Sequence, residues 1–166
     1  MRIGLLSDTH DILEPAYKAI DMMGRIDLLI HAGDHYRDAS KIAAAVHVPV
    51  HAVVGNCDPR QDGPEEKLLE VEGVTIYITH GHRYNVKVSL YGLYNRALEL
   101  QAGVAVYGHT HVPGYSYTKA PGCPNEDGLL IFNPGSVSMP RDRDGRYSFG
   151  LLEVKNGVVK PHLYYL

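Results

Sequence analysis

The sequence has little cysteine, no long apolar run and no excess of positive charge, and each shortage closes off a class of function. Cys57 and Cys123 are the only two thiols in 166 residues. With no CxxC spacing they offer neither a thiolate zinc site nor a disulfide framework. No uninterrupted apolar stretch approaches the roughly 18 residues needed to cross a bilayer, so no membrane partner is expected. The first residues, MRIGLLSDTH, run straight into a strand-like segment without the basic and apolar regions of a secretory signal, which makes the cytoplasm the expected location. Sixteen Lys and Arg against nineteen Asp and Glu leave a net charge of −3. That excludes a global basic field for a nucleic-acid duplex or an anionic lipid. There is no internal repeat, low-complexity tract or linker. The length and the 45% hydrophobic, 21% charged composition fit one domain spanning 1–166.

Histidine is what the chain has in quantity. There are ten, dispersed rather than tandem, and several stand beside Gly, Asp or Asn where strands are predicted to end. The strands come from short apolar runs at 2–7, Asp27–Ala32, Val50–Val54 and Val104–Tyr107. Between the first three, helical spacing predicts a helix from Pro15 through Ala16, Tyr17, Ala19, Ile20 and Met23, and another over Asp38–Val46. Strand–helix alternation of this kind means α/β with parallel pairing. Lys67–Val71 and Val74–Thr79 read as an antiparallel pair turned at Glu72-Gly73. Leu90, Leu93, Tyr94, Ala97 and Leu98 mark one face of a helix. The last third reads as β, over Tyr115–Thr118, Leu129–Phe132, Tyr147–Val154 and Val158–Tyr165, with Asn156-Gly157 as a type I′ hairpin turn. Ala120–Gly128 reads as an exposed, turn-rich loop. Two packed sheets with helices outside are expected.

Five polar motifs follow the predicted strands: Asp8-Thr9-His10, Gly33-Asp34, Gly55-Asn56-Cys57-Asp58, His80-Gly81-His82 and Gly108-His109-Thr110-His111. Each lies just past a strand's carboxyl end, where open α/β sheets build their sites. A lone Gly-Asp or Asp-x-His is usually a turn or a cap. Five in order, each after a strand, are hard to attribute to turns. Imidazole nitrogen with carboxylate and amide oxygen suits Mn, Fe, Co, Ni or Zn better than Ca or Mg. A central carboxylate, here Asp34, has the chemistry to bridge two ions roughly 4 Å apart. By contrast His31 and His51, inside predicted strands, read as core or strand-surface residues. His47 and His162 look incidental, and Tyr91 and Tyr94 read as packing rather than base-stacking. Arg141 and Arg143 sit where a phosphate contact is conceivable, although Arg-Asp-Arg-Asp is more often a solvated turn.

As an ordered set, D-x-H, G-D, G-N-x-D, H-G and G-H-x-H resemble the signature of the calcineurin-like metallophosphoesterases. Asn133-Pro134-Gly135-Ser136 marks the small bacterial and archaeal phosphodiesterase subfamily (YfcE-like). The resemblance, from Asp8 to about Val154, implies a four-layer α/β/β/α sandwich of two mixed β-sheets flanked by helices. It implies Asp8, His10, Asp34 and His111 as ligands of one divalent transition-metal ion, and Asp34, Asn56, His80 and His109 as ligands of a second, with manganese the first expectation. Asp58 resembles the carboxylate that orients the ligand loop. Asp34, Asn56, Asp58 and His109 are the residues expected in catalysis. The implied reaction is in-line attack of a metal-bridging hydroxide on a small phosphodiester, and the implied assembly is a homodimer or homotetramer. Cys57 departs from the family, many of whose members carry a leaving-group-protonating His there. A thiol of ordinary pKa near 8.5 is a poor acid at neutral pH, which leaves His35, His82 or a metal-bound water for the role. A phosphomonoesterase on the same site is the rival within enzymes. A protein-binding scaffold, like the retromer subunit of this fold, is the rival outside them.

Overall fold

A computed structural model describes residues 1–119 and 127–166; the loop expected over Ala120–Gly128 falls almost wholly outside the described residues. Chain order is β1 (Arg2–Leu6), α1 (Glu14–Met23), β2 (Leu28–His31), α2 (Tyr36–Ala45), β3 (Val50–Ala52), β4 (Glu66–Val71) and β5 (Val74–Thr79). It continues with α3 (Tyr91–Glu99), β6 (Val104–Val106), β7 (Gly114–Thr118), β8 (Leu129–Asn133), β9 (Ser148–Lys155) and β10 (Val158–Tyr165). The strands form two five-stranded sheets, ordered β10-β9-β1-β2-β3 and β4-β5-β6-β8-β7. β1, β2 and β3 are parallel neighbours, joined by crossovers through α1 and α2. β5, β6 and β8 are parallel in the other sheet. Both sheets are therefore mixed.

Alternation along the strands builds the layers. Leu5 and Ile30 face the second sheet, where they meet Ile76, Ile78, Val106, Leu130 and Phe132 in the inter-sheet core. Their chain neighbours Leu6 and Leu29 point the other way, onto Ala16, Ala19 and Met23 of α1 and Ile42 of α2. On the far side Tyr77, Ala105 and Ile131 bury Leu93 and Ala97 of α3. β1 and β2, covered on both faces, accordingly read as largely apolar runs rather than alternating ones. Four layers, α/β/β/α, result.

The antiparallel connections obey local turn chemistry. Asn156 and Gly157 have φ of 50° and 81°, and Glu72 and Gly73 have 47° and 80°, the pair of positive φ values that a type I′ turn needs. Two expectations need correction. α2 begins at Tyr36, not Asp38, because its first-turn Tyr36 N–H donates to Asp58 Oδ1 at 2.8 Å, a cap supplied from 22 residues away. Tyr91 does not pack: it opens α3 with 72% of its surface exposed, while Tyr94 lies against the third core as expected.

Phe132 is fully buried at the centre of the inter-sheet layer. Phe132→Ala should lower unfolding stability by about 3–5 kcal/mol in denaturant titration, the range for deleting a buried aromatic ring.

Candidate metal centre

The five motifs meet on one rim. Asp8 and His10 follow β1, Asp34 follows β2 and Asn56 follows β3. From the facing sheet, His80 follows β5, and His109 and His111 follow β6. Ligand atoms of Asp8, His10, Asp34 and His111 lie within 4.8 Å of one another, and so do those of Asp34, His80 and His109. Asp34 belongs to both groups. Asn56 joins the second, with Oδ1 3.2 Å from His80 Nε2.

Turning so many side chains inward bends the backbone. Asp8, His10, Asp34, His109 and His111 all have φ between 46° and 68°, the left-handed region that non-glycine residues seldom occupy. Such strain collects where function holds it in place. Gly55 and Gly108 permit the closest approaches. A Cβ on Gly55 would collide with the Asp34 carboxylate, and one on Gly108 with Ser7 Oγ and the Asp8 carboxylate.

Hydrogen bonds away from the cluster fix which way each ring faces. His80 Nδ1 donates to Ala32 O at 2.9 Å and His111 Nδ1 to Met139 O at 2.5 Å. Each leaves its Nε2 lone pair toward the carboxylates, the orientation a metal-binding imidazole requires. His80 Nε2 stands 3.3 Å from Asp34 Oδ1, and His111 Nε2 stands 3.1 Å from Asp8 Oδ1. Because the His111 proton is on the other nitrogen, Asp8 Oδ1 is buried with no hydrogen-bond partner. An orphaned carboxylate oxygen among inward-facing imidazole nitrogens is what a cation would satisfy, so the residues fit a divalent metal.

Charge follows the same geometry. In the metal-free chain a proton on Nε2 can stand where the cation would: burial opposes ionisation of Asp8 and Asp34, yet His111 and His80 hold Asp8, and His80 with the Cys57 N–H holds Asp34, below the ordinary carboxylate value. Burial also opposes charge on His80, but Asp34 and Asp8 raise its pKa. Burial and the neighbouring His80 charge push His109 down to about 4, and burial depresses His10 as well. Both are thus neutral and ligand-ready near pH 7.

A second tier of side chains holds this geometry. Asp58 accepts from Gly55 N–H at 2.8 Å as well as from Tyr36 N–H, and so ties the Asn56 loop to the start of α2. Ser136 Oγ and Ser138 Oγ donate to Asp8 O at 2.7 and 2.9 Å, and Asn133 Nδ2 donates to Gly108 O at 3.1 Å and Thr110 Oγ1 at 2.9 Å. The Asn-Pro-Gly-Ser motif thereby pins both flanking ligand loops. Sequence reasoning missed Thr9, Asp38 and the role of His31. Gly33 N–H faces His31 Nδ1 at 3.4 Å, His31 Nε2 is 3.1 Å from Thr9 Oγ1, and Thr9 donates to Asp38 Oδ2 at 2.8 Å. All three side chains are fully buried. The only signal for this chain was a histidine inside an apolar strand.

Other candidates lie around the edge. The His35 ring is 5.0 Å from that of His10, and His82 is 5.5 Å from His80 and 6.1 Å from His109. Cys57 is free and exposed, and its N–H donates to Asp34 Oδ1 at 3.0 Å. Arg141 meets the site only through its backbone, N–H to His111 O at 3.1 Å, and with Arg143 it is exposed. His51 is half-buried on β3, and His162 lies 3.4 Å from Glu153.

Two mixed sheets face to face, with a carboxylate–imidazole cluster on their shared carboxyl rim, define the metallophosphoesterase class of fold. A model of the calcineurin-like phosphoesterase superfamily domain matches residues 1–157, and the chain belongs to that superfamily. It is 33% identical over 165 residues to the probable metallophosphoesterase YsnB of Bacillus subtilis, covering 99% of this chain and 90% of that one. It is 27% identical over 179 residues to the phosphodiesterase YfcE of Escherichia coli, covering 92% and 88%. Vps29 of Entamoeba histolytica, solved with zinc, superposes with a TM-score of 0.75 at 20% identity and 99% coverage of both chains. That last likeness concerns the fold alone. No helix among the described residues is long and apolar enough to cross a membrane.

Burial pushes His31 from its ordinary 6.5 down to about 4, so the folded state keeps it neutral while the unfolded chain takes up a proton. Stability of the metal-free protein should therefore fall as pH drops from 6.5 to about 4, by on the order of 3 kcal/mol from this residue. His31→Gln should flatten that slope in urea titrations run across the window.

Proposed function

We propose that this chain is a dinuclear, metal-dependent phosphodiesterase acting on small diesters. The observation that carries the reading is Asp34, whose carboxylate is shared by two ligand groups. Asp8, His10, Asp34 and His111 would hold one ion, and Asp34, Asn56, His80 and His109 the other. Manganese is the first expectation from the family resemblance, and this mixture of imidazole, carboxylate and amide also suits Fe, Co, Ni or Zn. When bound, such a pair supplies an activated water and neutralises charge developing on the phosphoryl oxygens. The chain's own share is orientation. Hydrogen bonds to Ala32 O and Met139 O hold two rings in one tautomer, and Asp58 fixes the loop bearing Asn56.

Preference for diesters with good leaving groups is supported by the name of the YfcE relative and by Cys57. Partial desolvation of the sulfur and the Asp34 charge push that thiol up to about 11, so it keeps its proton instead of delivering it to a leaving oxygen. A phosphomonoesterase on the same residues is the alternative within enzymes. A non-catalytic scaffold would not need the expected ligands intact and grouped, as they are here.

Bis(p-nitrophenyl) phosphate should be hydrolysed faster than p-nitrophenyl phosphate by the manganese-loaded protein. Asp34→Asn and His109→Ala should each lower that turnover at least 100-fold. Undiminished activity in either variant, or a preference for the monoester, would count against the assignment.

A further inference from the structure

Beside the ligand cluster opens a cleft of about 450 Å³, lined among others by Asp11, His35, Arg37, Lys41, Cys57 and Asp62. Its position follows from the chain. Asp11, His35 and Cys57 are the residues immediately after His10, Asp34 and Asn56, so three ligand loops each contribute their next side chain to its wall. The volume is in the range of small-molecule sites.

The cations in this cleft are already paired. Arg37 grips Asp62 through two contacts, Nε at 2.9 Å and Nη2 at 3.4 Å. Lys41 Nζ lies 2.9 Å from Asp38 and 3.2 Å from Asp11. His35 Nδ1 is 2.9 Å from the other Asp11 oxygen. Both cations are thus already paired with carboxylates, Arg37 with Asp62 and Lys41 with Asp38 and Asp11. Asp11, Asp58 and Asp62 outnumber these two cations along the lining, and the Asp11 side chain is 65% exposed. Its carboxylate can accept from a hydroxyl on a bound molecule, whereas a second phosphate would meet uncompensated negative charge.

We propose that this cleft receives one ester substituent of the substrate, that it selects an uncharged, hydrogen-bonding group such as a hydroxylated sugar or polyol, and that it rejects a substituent bearing a further phosphate. The inference rests on the phosphodiesterase reading above. It makes Asp62 and Arg37 specificity-determining residues that touch none of the proposed metal ligands.

The test compares thymidine 5′-(p-nitrophenyl phosphate) with the same diester carrying a 3′-phosphate, using the manganese-loaded full chain. The phosphorylated compound should have kcat/KM lower by roughly tenfold, the difference residing in KM. Asp62→Asn, which frees Arg37, should narrow the gap. Arg37→Glu should widen it. Opposite responses separate a charge effect from general damage to the fold, which would move both substrates together. Equal kcat/KM for the two diesters, preference for the phosphorylated one, or both variants shifting the ratio the same way would overturn the proposal. So would turnover of bis(p-nitrophenyl) phosphate with neither thymidine diester accepted. If the wild-type protein leaves bis(p-nitrophenyl) phosphate intact as well, the phosphodiesterase reading itself falls.

Discussion

Two carboxylates, Asp8 and Asp34, are held almost out of water among imidazoles whose lone pairs face them, and the arrangement is self-repulsive unless a cation sits within it. Asp8 Oδ1, buried and unpartnered, states the problem most directly. Satisfying these acceptors joins the halves of the molecule, because Asp8, His10, Asp34 and Asn56 come from one sheet while His80, His109 and His111 come from the other. The rim of the sandwich is thus fastened by charge where its centre is fastened by Phe132 and its aliphatic neighbours.

Much of the surrounding detail follows from that demand. At the strand ends the backbone turns sharply to bring side chains inward, and the left-handed φ values of Asp8, His10, Asp34, His109 and His111 record that turn. Each such residue costs on the order of 1–2 kcal/mol, which fixed hydrogen bonds behind the ligands must offset. Ser136 and Ser138 on Asp8 O, Asn133 on Gly108 O, and Asp58 on Gly55 N–H supply them. The His31–Thr9–Asp38 chain adds a further support and continues through Lys41 and Asp11 to the wall of the neighbouring cleft.

The legible parts of the sequence were those with local causes. Period-2 and helical apolar patterns located the strands and helices, and Asn156-Gly157 announced its hairpin. Glycine beside Asp34, Asn56 and His109 marked where the backbone closes on a neighbouring side chain of the cluster. What escaped had tertiary causes. The start of α2 is set by Asp58, 22 residues downstream, and nothing local to Tyr36 foretells it. His31 looked like an ordinary strand residue because its partners Thr9 and Asp38 come from other elements. Tyr91 begins the helix that buries Leu93 and Ala97, yet only the assembled layers show that its side faces solvent.

The central claim is that the shared Asp34 carboxylate organises a pair of ions. The direct measurement is to dialyse metal-free protein against manganese(II), count bound metal per chain by mass spectrometry, and record the electron paramagnetic resonance spectrum. Two ions per chain with an exchange-coupled signal are predicted, since one bridging oxygen ligand places the ions close together. A single ion per chain, or two that give only isolated-ion spectra, would contradict the account.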